Sequence, residues 1–129
     1  MKAPADCPCG SGKPYAACCE SLHLGQFSAF TADALMRSRY SAYVLKLEDY
    51  LLATWHPTTR PSELDLVADG TKWLGLAVRR HQQQDDSHAT VEFVARYRVA
   101  GRGHRLHELS RFVREDERWY YLDGDILTA

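Results

Sequence analysis

Hydrophobic positions between residues 31 and 55 recur at steps of three and four, the spacing that places side chains on one face of an α-helix. The stripe comprises Met36, Tyr40, Tyr43, Val44, Leu47, Tyr50, Leu51 and Trp55. Thr31 suits the N-cap and Asp33 the positive end of the helix dipole. The His56-Pro57 pair ends the pattern. We therefore predict one long amphipathic helix of about 36 Å.

From Lys72 onward the hydrophobic period changes to two, which is typical of strands. Strands are predicted at residues 72–82, 88–99, 104–114 and 118–123, with turn-prone segments at 84–87, 100–103 and 115–117. A short helix from Ser62 to Ala68, stopped by Gly70, is predicted before them. Helices followed by successive antiparallel strands indicate an α+β domain with its helices on one face of the sheet.

The register of the second and third strands is predicted by pairing Val99 with His104 across the turn. One face then carries Ala95 opposite Glu108, Phe93 opposite Ser110, and Val91 opposite Phe112, together with Tyr97 and Leu106. This apolar face is expected to meet the long helix. The other face is expected to carry a ladder of charged pairs, with Glu92 across from Arg111 and Arg96 across from His107.

The four cysteines of the chain all lie between residues 7 and 19, as Cys7, Cys9, Cys18 and Cys19. Two thiols one residue apart can bind a metal from a tight turn, and the adjacent pair can complete a tetrahedral shell at about 2.3 Å per Zn–S bond. A shell of four sulfurs leaves no position for water. The spacing therefore predicts a structural zinc site rather than a catalytic one.

The residues between the cysteines fit the same prediction. Gly10 and Gly12 permit positive φ angles and let amide groups approach the thiolates. Ser11 adds a hydroxyl donor, and Lys13 is placed to offset part of the negative charge of four thiolates. Two disulfides are the main alternative, and a redox or trafficking role is another. The first 30 residues show no secretory signal, which favours a cytoplasmic location and a metal over disulfides.

These cysteines and the glycines beside them resemble the SEC-C motif, the zinc-binding segment first named from the C-terminal tail of the SecA preprotein translocase. Downstream segments at residues 35–43, 50–57, 92–97 and 107–112 are similar to the YchJ-type family of uncharacterised bacterial proteins. That resemblance implies a SEC-C segment followed by a nuclear-transport-factor-two-like domain, in which a curved sheet wraps a long helix as a cone and leaves a pocket. We place the zinc knuckle at residues 1–23 and the second domain at residues 24–129. Phe27 and Phe30 are expected to dock the connector between them onto the main body.

Composition narrows the choice of partners. The chain has 129 residues, enough for one core, and its 16 basic and 17 acidic residues give a formal net charge of −1. No apolar run is long enough for a membrane-spanning helix. Residues 79–118 hold nine arginines, but seven acids are interspersed among them, so we do not expect a nucleic-acid partner. The resemblance to pocket-containing dimers leaves monomer and homodimer both open.

Two functional hypotheses follow. The first is a non-enzymatic cytosolic protein whose zinc knuckle docks a protein or ribosome-associated partner, as similar segments in SecA imply. The second is an enzyme or small-ligand binder that uses the pocket around Glu108. The pocket candidates are Glu108, Ser110, Tyr97, Tyr40 and Trp55. A purely structural role for Glu108, as a hydrogen-bond acceptor between helix and sheet, stays open beside the second hypothesis.

Overall fold

The computed structural model describes residues 6–64 and 71–128. Short helices come first and an antiparallel sheet follows, so the chain has the expected α+β organisation. The helices are α1 (Glu20–His23), α2 (Ala32–Leu45) and α3 (Glu48–Ala53), preceded by one 3-10 turn at Tyr15–Ala17. The strands are β1 (Lys72–Asp85), β2 (His88–Val99), β3 (Arg102–Glu115) and β4 (Arg118–Thr128), in the order β1-β2-β3-β4. The predicted helix from Ser62 to Ala68 falls largely on residues 65–70, outside the described part.

Helix α2 starts where the sequence indicates. The Thr31 hydroxyl accepts a hydrogen bond from the Ala34 amide at 3.3 Å, and Asp33 lies in the first turn. Leu35 and Met36 of α2 are buried against the inner face of the sheet, in one core with Phe93. The main core therefore lies between α2 and the sheet.

The prediction of a single helix through Trp55 is wrong, because α2 ends at Leu45 and Lys46 is its C-cap. Lys46 adopts a left-handed conformation with φ of +61°, and α3 begins two residues later. The break lets α3 fold back beside α2. There the Leu51 carbonyl accepts a hydrogen bond from Arg39 at 2.8 Å, and the Tyr50 hydroxyl bonds Ser38 at 2.7 Å. These tertiary contacts override the local helical pattern.

The predicted register of β2 and β3 is wrong by two residues. Val99 pairs with Arg102 rather than His104, and Phe93 pairs with Glu108. The cause is the turn, which is the two-residue Ala100-Gly101 loop instead of four residues. Both turn residues have positive φ, as a tight hairpin requires. A shift of two keeps each side chain on its predicted face.

The charged pairs on the outer face also differ from the predicted ladder. Glu92 accepts a hydrogen bond from His107 at 2.8 Å, while Arg111 pairs with Asp123 and Asp125 of β4. Arg96 lies opposite Arg105 rather than His107. The two-residue shift of β3 explains these exchanges.

The connector does not dock through its phenylalanines as expected. Phe27 is 62% exposed and Phe30 is 88% exposed. The connector packs instead through the small side chain of Ala29 in the core and through its backbone, because Trp119 Nε1 donates to the Phe30 carbonyl at 3.2 Å. The phenyl rings are left facing solvent.

Candidate metal centre and neighbouring cavity

The four cysteine sulfurs come together in one cluster. All four Sγ atoms lie within 4.8 Å of one another, with 3.6 Å between Cys9 and Cys18 and 3.9 Å between Cys18 and Cys19. Four ligands at about 2.3 Å from a tetrahedral centre stand about 3.8 Å apart, so this donor set fits a four-coordinate metal. None of the cysteines is bonded to another. Cys7, Cys9 and Cys19 are buried and Cys18 is partly exposed.

The glycine-rich loop makes this arrangement possible. Gly10 has φ of +79° and Gly12 has φ of +83°, conformations that a side chain would strain. The loop is closed by a hydrogen bond from the Cys7 amide to the Lys13 carbonyl at 2.9 Å. The turn thereby brings Cys7 and Cys9 to the same side as the later cysteine pair.

Hydroxyl groups reach the sulfurs from two directions. Ser11 in the loop lies 3.2 Å from the sulfur of Cys18, as the sequence led us to expect. Ser41, fully buried in α2, donates to the Cys19 sulfur at 3.4 Å and lies 3.5 Å from that of Cys7. Ser41 could not be recognised from the sequence because it lies 22 residues beyond the last cysteine. Only the packing of α2 against the loop brings it close.

The thiols differ in acidity. The hydrogen bond from the Cys19 thiol is the main cause that lowers the pKa of Cys9 to about 4, and the Ser11 hydroxyl and amide groups assist. The same bond to Cys9, together with burial, raises the pKa of Cys19. The thiolate form is therefore favoured at Cys9 and disfavoured at Cys19.

Further contacts fix the knuckle to the main body. His23 Nε2 donates to the Ser38 carbonyl at 2.8 Å, which leaves Nδ1 to accept from the Tyr15 hydroxyl at 2.7 Å. Burial lowers the pKa of His23, which favours this neutral form. Arg37 of α2 donates to the Cys9 carbonyl at 3.0 Å, whereas the side chain of Lys13 is exposed. The knuckle is thus bound to α2 by polar contacts at several points.

A cavity of about 240 Å³ lies between α2, the Trp55 side chain that follows α3, and the inner face of the sheet. Four of the five predicted pocket residues, Tyr40, Trp55, Glu108 and Ser110, line it, and Tyr97 does not. Tyr97 instead contacts the Trp73 ring and stacks on His104. The other lining residues are Met36, Arg39, Tyr43, Trp73, Phe93, Ala95, Leu106 and Tyr121.

Glu108 is the acidic group of this cavity. Its carboxylate accepts hydrogen bonds from Ser110 at 2.9 Å and from Tyr121 at 3.4 Å. Burial outweighs both bonds and raises the pKa of Glu108. Gly124 makes room for this carboxylate, because a Cβ there would lie 2.5 Å from Glu108 Oε1.

Arg39 is a functional candidate that was not recognised from the sequence, since it is a single charged residue next to the hydrophobic stripe of the predicted helix. It is 3% exposed, donates to the Leu51 carbonyl and to the Thr54 hydroxyl, and lies over the rings of Trp55 and Tyr121 at 5.0 and 4.8 Å. No carboxylate in the described residues lies within ion-pair distance of it. Trp55 Nε1 is buried without a hydrogen-bond partner there.

Comparison with known proteins identifies the family. A family model described as the SEC-C motif matches residues 5–21, which include all four cysteines. A second, described as the YchJ middle NTF2-like domain, matches residues 31–124. A UPF0225 protein of Bordetella pertussis is 63% identical over 125 residues, covering 95% of this chain and 94% of the relative. The chain belongs to the UPF0225 family. A UPF0225 protein of Cupriavidus metallidurans is 60% identical over 130 residues, covering 95% of the chain and 90% of that protein.

Solved structures of related proteins have the same fold. The solution structure of a SEC-C motif containing protein from Rhodopseudomonas palustris matches with a TM-score of 0.85 at 38% identity, over 96% of this chain and all of that one. The crystal structure of a SEC-C motif containing protein from Psychrobacter arcticus matches with a TM-score of 0.78 at 32% identity, over 95% of this chain and 83% of that one. Within the described residues of the UPF0225 chain, no helix has both the length and the apolar character needed to cross a membrane.

Proposed function

We propose that this UPF0225 protein is a non-enzymatic interaction module of the bacterial cytosol, in which zinc holds the SEC-C knuckle and the adjoining connector presents a docking surface to a protein or ribosome-associated partner. The observation that carries the proposal is the exposure of three large apolar side chains directly after the knuckle. Leu24 is 65% exposed, in addition to Phe27 and Phe30. Clustered exposed apolar groups of this size favour an interaction site.

Zinc is the metal that the donor set favours. Four thiolates in a closed shell suit zinc, and calcium or magnesium would need oxygen ligands. A reducing compartment keeps the thiols available for the metal, which supports the cytosolic location. The partial burial of the cluster and its contacts with α2 support a structural role.

The connector forms the docking surface together with two clefts beside it. One cleft of about 360 Å³ lies between the connector, α3 and β4, where it is lined by Leu24, Phe27 and Trp119. The other, of about 500 Å³, runs from Cys18 to Phe30 along the knuckle. Because both clefts share the connector, one partner could contact the knuckle and the connector at once. Loss of zinc should then weaken binding of the partner, because the knuckle would no longer hold this surface in its shape.

A paired variant tests the docking proposal. Phe27→Ser with Phe30→Ser should abolish retention of a partner from the lysate of a bacterium that carries a UPF0225 protein, and should abolish co-sedimentation with ribosomes if that is the partner. Ile126→Ser with Leu127→Ser, exposed apolar positions on β4, is the matched control. Metal content and circular dichroism should be unchanged in both variants. A partner retained equally by all three proteins would overturn the proposal.

The cavity supports a second candidate function, the binding of a small ligand. Among the described residues the buried charge of Arg39 has no carboxylate partner and Trp55 Nε1 has no acceptor, so a ligand with an anionic acceptor group would pair with a buried cation and an unsatisfied donor. The volume of the cavity, about 240 Å³, limits the ligand to a small metabolite. Glu108 would serve as an anchor or general base.

A thermal-shift screen against a metabolite library tests this second function. A true cavity ligand should raise the melting temperature of the wild type and lose its effect in Glu108→Gln. Glu92→Gln on the outer face is the matched control and should keep the effect. A hit that acts equally on both variants would not be using this cavity.

A further inference from the structure

The outer face of the sheet carries a group of cations for which the described part of the chain supplies no ion-pair partner. They are Lys72 on β1, Arg96 and Arg98 on β2, and Arg105 on β3, and all four are exposed. We call them the cationic strip. Alternation along the strands places them on the face opposite the core residues Ala95 and Phe93.

The pairing register sets these cations against one another. Lys72 lies directly opposite Arg98, and Arg96 lies directly opposite Arg105. Like charges opposite each other in a sheet destabilise it, so folding alone does not account for two such pairs side by side. The guanidinium of Arg96 lies over Gly75, whose missing side chain leaves it room.

Acidic residues are absent from the segments that form the strip. Residues 71–84 and 93–107 contain no aspartate or glutamate. Glu92 is four residues from Arg96, about 13 Å along the strand, and it is bound to His107. None of the four strip cations forms an ion pair within residues 6–64 and 71–128. The interspersed acids seen in the sequence are therefore separated from these cations by the fold.

We propose that the cationic strip binds the phosphate backbone of a single-stranded nucleic acid. Charge complementarity calls for a polyanion, and three of the four cations are arginines, whose planar fork matches phosphate oxygens. The strip crosses three strands, a width of about 10 Å, so it can follow the phosphates of one backbone but does not reach both backbones that border the roughly 12 Å major groove of a duplex. The inference goes beyond docking through the connector, because it concerns a different face and revises the expectation of no nucleic-acid partner.

The test uses fluorescence anisotropy with a labelled single-stranded RNA of about 12 nucleotides, as salt is raised from about 50 to 200 mM. Four phosphate contacts predict a slope of about −3 in the logarithm of the binding constant against that of the salt concentration. Arg98→Gln with Arg105→Gln removes one member of each like-charge pair and should halve this slope. Near 0.1 M salt this variant should bind about 25-fold more weakly than the wild type. Each phosphate contact strengthens binding about 5-fold at 0.1 M relative to 1 M salt, and the variant loses two contacts.

A control variant distinguishes loss of the cationic strip from a general loss of positive charge. Arg114→Gln with Arg118→Gln changes the same charge at the far end of the sheet and should bind RNA like the wild type. The strip variant should melt no lower than the wild type, because it removes repulsion. Absence of RNA binding at about 50 mM salt, equal weakening by both variants, or equal binding of polyglutamate or of anionic lipid vesicles would overturn the proposal.

Discussion

Ser41→Ala should weaken metal binding although Ser41 is not a ligand. Its hydroxyl is buried in α2 and donates to the Cys19 sulfur at 3.4 Å. A hydroxyl carries one proton, so the 3.5 Å contact with Cys7 cannot be a second donation at the same time. The substitution removes one charge-assisted hydrogen bond and leaves the four thiolates in place.

The magnitude follows from the charge on the acceptor. A hydrogen bond to an ionised group contributes about 1.5–3 kcal/mol, and each 1.4 kcal/mol corresponds to a factor of ten. Ser41→Ala should therefore weaken zinc affinity by about 10- to 100-fold, the range typical of groups that hold metal ligands. The exposed Ser11 should matter less, because water can replace its hydroxyl.

Competition against a chromophoric chelator at constant pH measures this affinity. Ser38→Ala is the matched control, since Ser38 is equally buried in α2 but bonds Tyr50 rather than a sulfur. It should lower stability and leave the zinc affinity close to that of the wild type. If Ser41→Ala and Ser38→Ala bind zinc equally well, the reasoning that ties α2 to the metal is refuted.

Three further predictions concern the sheet domain. Because the folded-state pKa of Glu108 is raised, its protonated form stabilises the protein at low pH, and this contribution is lost as pH rises through that pKa. Urea unfolding at several pH values should therefore show that the free energy of unfolding of Glu108→Gln increases relative to that of the wild type as pH rises. Gly124→Ala should displace the Glu108 carboxylate and destabilise by about 1–3 kcal/mol, and a double-mutant cycle with Glu108→Ala should show a smaller cost when that carboxylate is absent. Glu117→Gly should stabilise by about 1 kcal/mol in thermal unfolding, because Glu117 is exposed with φ of +65° in the β3–β4 turn; an unchanged or lower melting temperature would contradict this.

The cysteine cluster was predictable because its four ligands and the loop that positions them are local. The ligands lie within one short segment, and the positive φ angles of Gly10 and Gly12 follow from their lack of a side chain. The α+β order of elements was predictable for a similar reason, since a change of hydrophobic period is visible in the sequence. The N-cap at Thr31 is likewise a local signal.

The missed features depend on contacts between distant residues. Nothing in the sequence around Lys46 marks a helix end, and the break is stabilised where Arg39 and Tyr50 find partners across the α2–α3 corner. The hairpin register depends on whether the turn has two residues or four, which the glycines at 101 and 103 leave ambiguous. The sequence pattern alone did not show that Phe30 is exposed. An apolar residue in a connector can either pack onto the main body of its own chain or contact a partner.

X-ray absorption at the zinc edge of the purified protein tests whether the four cysteines hold a zinc ion. We expect one zinc per chain with four sulfur neighbours at about 2.3 Å, and an incomplete sulfur shell or no zinc in Cys18→Ala. Nitrogen or oxygen neighbours in the wild type, a chain without zinc, or full retention of the four-sulfur signal in Cys18→Ala would contradict it.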